Sequence, residues 1–169
     1  NGVETILINS SARDLDNTVV PQGVRSYIIE DSASLGRGAG RNREIAKKLY
    51  SEWDQSQKLM SGPEFVDFVS DKDVIFVIAS TAGGTGSGIA PTIAFQLSSK
   101  YPSKNIILIG ILPRLSESIN SQQNAIQFFS EVELINKSKN IPYMVFDLEK
   151  YTDYNIEESY TMVAADIVG

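Results

Sequence analysis

The run Val74-Ile75-Phe76-Val77-Ile78-Ala79 leads into Ala82-Gly83-Gly84-Thr85-Gly86-Ser87-Gly88, and a helical pattern follows from Ile89 to Leu97. Strand, glycine turn and helix in that order commit this part of the chain to an α/β unit. Four of the seven turn residues lack a Cβ, so the backbone can turn tightly and bring its N–H groups close to a ligand. Where the turn enters the helix, those N–H groups and the positive end of the helix dipole converge, and a phosphate fits there. Thr85 and Ser87 add hydroxyl donors with little bulk. A glycine-rich connection shaped only for packing is the competing reading.

Spacing removes three familiar phosphate or nucleophile turns. Gly83 and Gly88 stand as in a P-loop, but Ile89-Ala90 occupy the places of Lys and Ser/Thr, so no lysine reaches the phosphates. A dinucleotide fingerprint read from Gly84 meets Ile89 where its third Gly or Ala belongs. A nucleophile elbow around Ser87 would need glycines where Thr85 and Ile89 stand. The remaining string, G-G-T-G-S-G over 83–88, resembles the signature loop of the tubulin/FtsZ superfamily, G-G-G-T-G-[ST]-G, with Ala82 in place of the first glycine.

Other segments carry the same resemblance along nearly the whole chain. Residues Gly2 to Ala12 are similar to the family's second strand and the loop after it, and Leu35 to Glu44 to its third nucleotide loop and the following helix. Pro113 with Glu117 resembles the ribose-contacting loop, and Ile141 to Asp147 the strand leading to the guanine pocket. The wording around Gly38 to Ile45 and Lys139 to Phe146 is closer to the phage and plasmid TubZ/PhuZ-like members than to cell-division FtsZ.

That resemblance implies a role for each matching residue. Asn9, Ser10 and Ser11 approach the nucleotide, with Ser11 where FtsZ carries an Asp, which withdraws a carboxylate from any magnesium site. Gly38, Ala39, Gly40, Arg41 and Asn42, together with Arg37, form a loop sensing the γ-phosphate, since charge-assisted bonds to phosphate are strong. Asn42 is placed to cap the next helix, while Arg43, Lys47 and Lys48 read as that helix's wet face. A solvated basic loop or a single-strand nucleic-acid contact are the rivals for this segment. Ala82, Gly83, Gly84, Thr85, Gly86, Ser87 and Gly88 cradle the phosphates. Pro113 and Glu117 meet the ribose, although a first-turn glutamate favoured by a helix dipole explains Glu117 equally well. Asp147 can accept bonds from guanine N1–H and the 2-amino group, and Tyr160 stacks on the base. Ser121 and Ala164 depart from the family's usual Arg and Asn/Asp, with Asp166 a substitute for the latter.

Composition bounds these readings. A chain of 169 residues can build one domain with a real core. Its net charge of −6 argues against a nucleic-acid-binding surface. Cysteine and histidine are both absent, which excludes disulfides, thiolate or imidazole metal sites and Ser-His-Asp chemistry within these residues. Apolar runs are far shorter than the ~20 residues of a membrane span, and no export signal opens the chain.

Apolar runs read as strands at Val3 to Asn9, Tyr27 to Ile29, Val74 to Ala79, Ile106 to Ile111 and Tyr143 to Phe146, buried on both faces. Helical patterns lie at Asn42 to Leu59, Pro63 to Val69, Gly88 to Lys100, about Ser116 to Ser138, and Ile156 to Val168. Trp53, Phe65 and Phe68 belong to the core or to a subunit contact. The expected fold class is α/β, a doubly wound, mostly parallel sheet with helices on both faces. By resemblance, residues 1–169 are a partial GTP-binding domain, lacking a first strand that stands mid-sheet, its phosphate loop and helix, and everything after the start of the central helix. Without that strand, the strands at 3–9 and 27–29 are expected to lose their neighbour and leave backbone groups unpaired, so a chain lacking it should not fold stably.

The resemblance implies a GTP-binding cytoskeletal protein that polymerises head to tail with itself and hydrolyses GTP at subunit interfaces. Its cofactors are GTP or GDP with Mg2+, and its catalytic residues are expected after Gly169, so this chain alone should hydrolyse negligibly. Plasmid or phage DNA positioning through a DNA-binding adaptor, in the cytoplasm of a bacterial or phage-infected cell, is the implied role. No direct nucleic-acid or membrane partner is expected. A non-hydrolysing tubulin-like scaffold and a dinucleotide-dependent α/β enzyme are the alternatives.

Overall fold

The computed structural model describes residues 3–16, 20, 23–29, 38–57 and 59–168. Five strands, all in parallel pairings, alternate with helices. Strand β1 (Ile6–Asn9) pairs with β2 (Arg25–Ile28), in register from Ile6↔Arg25 to Asn9↔Ile28. Strands β3 (Val74–Ser80), β4 (Asn105–Leu112) and β5 (Tyr143–Asp147) form a second sheet in that order. Parallel neighbours need crossovers, supplied here by helices α4 (Thr85–Lys100) and α5 (Ile119–Asn136). Helix α1 (Ala12–Asp16) follows β1, α2 (Arg43–Gln57) and α3 (Pro63–Ser70) precede β3, and α6 (Ile156–Val168) follows β5.

The expected α/β alternation is present, but the strands fall into two sheets, with no ladder between them among the described residues. The edge strands β1 and β3 are tied at both ends through side chains. Lys72 Nζ lies 3.2 Å from Glu4 Oε1 at one end, and Ser10 Oγ lies 2.5 Å from Thr85 Oγ1 at the other.

Local chemistry places the helix starts. Asn42 Oδ1 accepts from the N–H groups of Glu44 and Ile45 at 3.0 and 3.2 Å, the capping expected from its position. Pro63 opens α3 behind Gly62, where its missing N–H costs nothing. Helix α4 begins at Thr85 rather than Gly88, so the second half of the glycine turn is already its first turn. Helix α5 begins at Ile119, with Ser118 accepting from the Ser121 N–H. Glu117 therefore lies in the turn before the helix, not one turn into it.

The main core joins β3 and β4 to the helices on one face. Ile75, Val77, Ile106 and Leu108 meet Ala90, Ile93, Ala94 and Leu97 of α4 and Phe128 and Val132 of α5. On the other face, α6 sets Val163, Tyr160 and Ile167 against Ile111, Phe146 and Leu148. That cover is partial. Val74, Phe76 and Ile78 are 44–50% exposed and Tyr143, Met144 and Val145 are exposed too, so β3 and β5 are not buried on both faces as their apolar runs suggest. The hydrophobic run reports what a strand could bury; the helices present decide what it does bury. Trp53 packs edge-on to Tyr27, and Phe65 is buried beside Phe68, as core residues.

Tyr50 of α2 is buried and donates to Gln96 Oε1 at 2.6 Å. Burial first, and the Asp54 carboxylate second, push its phenol well above the usual tyrosine range. The unfolded chain releases this proton near pH 10 while the folded chain keeps it. Stability is therefore complete below about pH 10 and falls as pH rises further. Tyr101 and Tyr151 are shifted the same way, by burial and by the bond to Asp166 respectively. Tyr50→Phe is expected to flatten, without abolishing, the loss of stability between about pH 9 and pH 11, read by urea unfolding at each pH.

Candidate functional site

In a parallel α/β sheet the carboxyl ends of the strands all point one way, and the loops that leave them form one ligand-binding edge. Asn9 and Ser10 end or follow β1, Ser80 to Gly84 follow β3, Pro113 follows β4 and Asp147 ends β5. Register aligns Ser80 with Ile111 and Leu112 with Asp147, which brings the last three together at one level. Tyr160 of α6 reaches the same edge, its hydroxyl donating to Ser80 Oγ at 3.2 Å.

The glycine turn is the centre of this edge. Gly88 N donates to Gly84 O at 3.0 Å, the first helical bond of α4; the N–H groups ahead of it have no intrahelical partner. A Cβ on Gly83 would meet open space, whereas one on Gly84 would fall 2.7 Å from Asn42 N and one on Gly88 2.8 Å from Arg43 O. The glycines divide their work: Gly84 and Gly88 let the backbone of 41–43 lie against the turn, and Gly83 leaves its front accessible. A Cβ on Gly86 would lie 3.2 Å from Ala79 Cβ, so close packing accounts for three of the four glycines and leaves Gly83, at the mouth of the turn, unexplained by it.

The second loop, 38–42, is a tight turn closed by Asn42 N donating to Ala39 O at 2.8 Å. Gly38, Gly40 and Arg41 have φ of 62°, 56° and 62°. A left-handed arginine costs about 1–2 kcal/mol relative to its usual conformation, and such strain clusters at functional loops. Arg41 is exposed, and its backbone lies against Gly84 of the glycine turn. Leu35, Gly36 and Arg37, expected at the head of this loop, lie outside the described residues, as do Asn1, Gly2 and Gly169.

Several expected hydroxyls hold loops together. Ser10 and Ser11 are buried; Ser10 Oγ accepts from Ala39 N at 2.9 Å and meets Thr85 Oγ1, joining three loops at one atom. Ser87 is fully buried and donates back to Gly83 O. Asn9 Oδ1 accepts from Ser10 N at 2.7 Å. Ala82 is buried too. Glu117 Oε1 accepts from Arg114 N at 3.1 Å, and Asp147 Oδ1 from Glu149 N at 2.9 Å, so both carboxylates also brace their own turns. Asp166 accepts from the Tyr151 hydroxyl, and Ala164 is exposed.

Arg43 corrects the reading of α2. It is 3% exposed, not on a wet face, and its Nη2 lies 2.5 Å from Glu131 Oε2, which Lys47 also reaches at 3.1 Å. Its Nη1 donates to Ser87 O. The reason lies in α4: Pro91 is inside the helix and has no N–H for the carbonyl four residues earlier. The arginine supplies the missing donor. Burial lowers its pKa and Glu131 opposes that shift. The signal available in sequence was Pro91, whose orphaned carbonyl needs a donor from elsewhere.

Among the described residues no group of three or more acidic side chains could hold a metal ion, and no helix is long and apolar enough to cross a membrane.

Fold and site together define an α/β domain with a glycine turn at the carboxyl edge of its sheet. Residues 1–138 match the family described as Tubulin/FtsZ family, GTPase domain. The tubulin-like protein TubZ of Clostridium botulinum C phage is 30% identical over 156 residues, covering 90% of this chain and 41% of that protein. CetZ from Methanosaeta thermophila superposes with a TM-score of 0.77 at 26% identity, over 98% of this chain and 44% of that one. CetZ1 from Haloferax volcanii, a GDP-bound monomer, gives a TM-score of 0.77 at 25% identity, over 96% and 48%. The chain belongs to the tubulin/FtsZ family, and spans less than half the length of these relatives. That membership sets aside the dinucleotide-dependent enzyme.

Gly84→Ala should force the 41–42 backbone away from the turn. We expect a loss of about 1–3 kcal/mol in chemical denaturation, against little change for Gly83→Ala, whose Cβ meets nothing.

Proposed function

We propose that this chain binds a guanine nucleotide, its phosphates on the N–H groups of Gly83 to Gly88 and its base toward Asp147 and Tyr160. The carrying observation is the glycine turn, open at Gly83, at the start of α4 and at the carboxyl edge of the sheet. The first-turn amides and the helix dipole hold phosphate oxygens without a counter-charge. Arg41, left-handed and exposed at the same place, adds the charge-assisted bond that a terminal phosphate needs. Glu117, beside Pro113, offers its second carboxylate oxygen to the ribose hydroxyls. Asp147, whose Oδ1 is already taken, offers Oδ2 to guanine N1–H and the 2-amino group. Asn9, Ser10 and Ser11 line the floor, with the serines acting through the loops that they join. Mg2+ rides on the phosphates, neutralising charge.

The family reading extends this to a filament of head-to-tail copies, in which residues outside this chain complete GTP hydrolysis on the neighbouring subunit's nucleotide. Among the described residues no ladder joins β1 to β3, which leaves room there for the further strand that the family reading expects. A role in plasmid or phage DNA positioning, with a DNA-bound adaptor in the bacterial cytoplasm, rests on the likeness to the phage TubZ. A non-hydrolysing scaffold is the second reading, favoured by Ala82, Ser11 and Ala164 standing where the family has Gly, Asp and Asn/Asp.

Calorimetric titration of the full chain with GTP, GDP and ATP tests the first claim. Binding of both guanine nucleotides, with ATP at least roughly tenfold weaker (one lost base-reading bond to a charged group), is expected. Equal affinity for ATP would remove Asp147 as base reader, and no binding at all would remove the proposal. Phosphate release by residues 1–169 alone should stay at background at every concentration.

Arg41→Gly separates strain from function. It should raise stability by about 1 kcal/mol by relieving a left-handed side-chain-bearing residue. GTP affinity should drop roughly tenfold or more through the lost charged bond, with GDP affinity less affected.

A further inference from the structure

A turn that aims its N–H groups outward at a ligand must aim its carbonyls inward, into the protein. Buried carbonyls need donors, and in this turn Asn124 serves two of them, Ala82 O and Gly83 O, while Ser87 Oγ also reaches Gly83 O and Arg43 reaches Ser87 O. Asn124 of α5, 8% exposed, directs Nδ2 at Ala82 O (2.9 Å), Gly83 O (3.2 Å) and Arg41 O (3.0 Å). Two of these acceptors belong to the glycine turn and the third to the left-handed residue of the neighbouring loop. An asparagine inside a helix is a poor helix former, so its place in the middle of α5 asks for a tertiary reason.

We propose that Asn124 is the positioning residue of the nucleotide site, a single amide that locks the glycine turn and the left-handed Arg41 to each other. It touches no ligand and acts through the two loops. The inference rests on the nucleotide reading above and adds to it the residue that sets the loops' relative position. Arg43 donates to Ser87 O, at the helical end of the same turn, and its Nη1 lies 3.5 Å from Asn124 O, so the two side chains brace the two ends of one turn. The difference between them is reach: Asn124 bonds to carbonyls of both loops and Arg43 to the glycine turn only, while Ser10 joins the same loops through Ala39 N and Thr85 Oγ1 and touches none of these carbonyls.

Donor chemistry, not packing, is what the proposal requires, and Asn124→Asp isolates it. The aspartate has the same shape but presents a carboxylate to three carbonyls at neutral pH. Burial and those acceptors push its pKa upward, the buried Arg43 guanidinium beside it opposes that shift, and once protonated it regains one donor. We expect GTP affinity in the full chain to fall roughly 100-fold at pH 7.5 for Asn124→Asp, two bonds to buried carbonyls being lost. About tenfold should return at pH 5.5. Asn124→Ala should lose roughly tenfold or more, with no recovery at low pH. In hydrogen exchange without ligand, Asn124→Ala should speed exchange at 38–43 and 82–87 while β3, β4 and the rest of α5 stay protected.

Failure of wild-type binding would sink the nucleotide reading and leave the exchange prediction to judge Asn124. Wild-type binding with both variants unchanged would overturn the positioning role alone. So would equal pH dependence in the alanine variant, or wholesale unfolding of both variants, because a positioning residue leaves the sheet intact.

Discussion

One-sided backbone polarity in the glycine turn is the constraint from which most of this structure follows. Turning N–H groups toward a ligand leaves carbonyls facing a protein interior, and each unpaired one would cost about 1–3 kcal/mol. Asn124, Arg43 and the Ser87 hydroxyl supply donors to four carbonyls around the turn: Arg41, Ala82, Gly83 and Ser87. These donors come from α5, α2 and α4, so the site's geometry and the packing of three helices are one problem. The buried charge of Arg43 is tolerated because Glu131 sits against it, the usual condition for burying an ion.

Glycine has two distinct uses in this arrangement. At 84 and 88 it removes a Cβ that would collide with backbone at 42 and 43, allowing the start of α2 to lie on the start of α4. At 38 and 40 it permits positive φ, so that the second loop folds back over Ser10. The close fit of these loops explains why Ser10 and Ser11 are buried, although the resemblance led to the expectation that they approach a nucleotide. They order the surface the ligand would meet. Function at such a site depends on side chains that a ligand never touches.

Much of this was legible from the chain. Pro63 and Asn42 announced their helices, the last helix was read at its true limits, and the glycine string led to the family that the comparisons then supported. Arg43 was misread because helical spacing puts it among Lys47 and Lys48, and no periodicity reveals that a proline in another helix has freed a carbonyl for it. Asn124 left no signal at all: it looks like one polar residue in an amphipathic helix, and its three acceptors are 41 to 83 positions away in sequence. The boundary of α4 was placed late because glycines are poor helix formers. Tertiary contact from α2 nonetheless holds them helical from Thr85.

By itself the sequence determined the alternation of strands and helices, the glycine turn at the end of β3, and the family. These are carried by local patterns and by the residues that a turn sterically demands. Only the tertiary structure decided which apolar faces are covered, where the sheet breaks between β1 and β3, and which polar side chains are spent inside. Those outcomes depend on donors and acceptors meeting across long stretches of chain, and a one-dimensional pattern carries no record of which carbonyl has lost its partner.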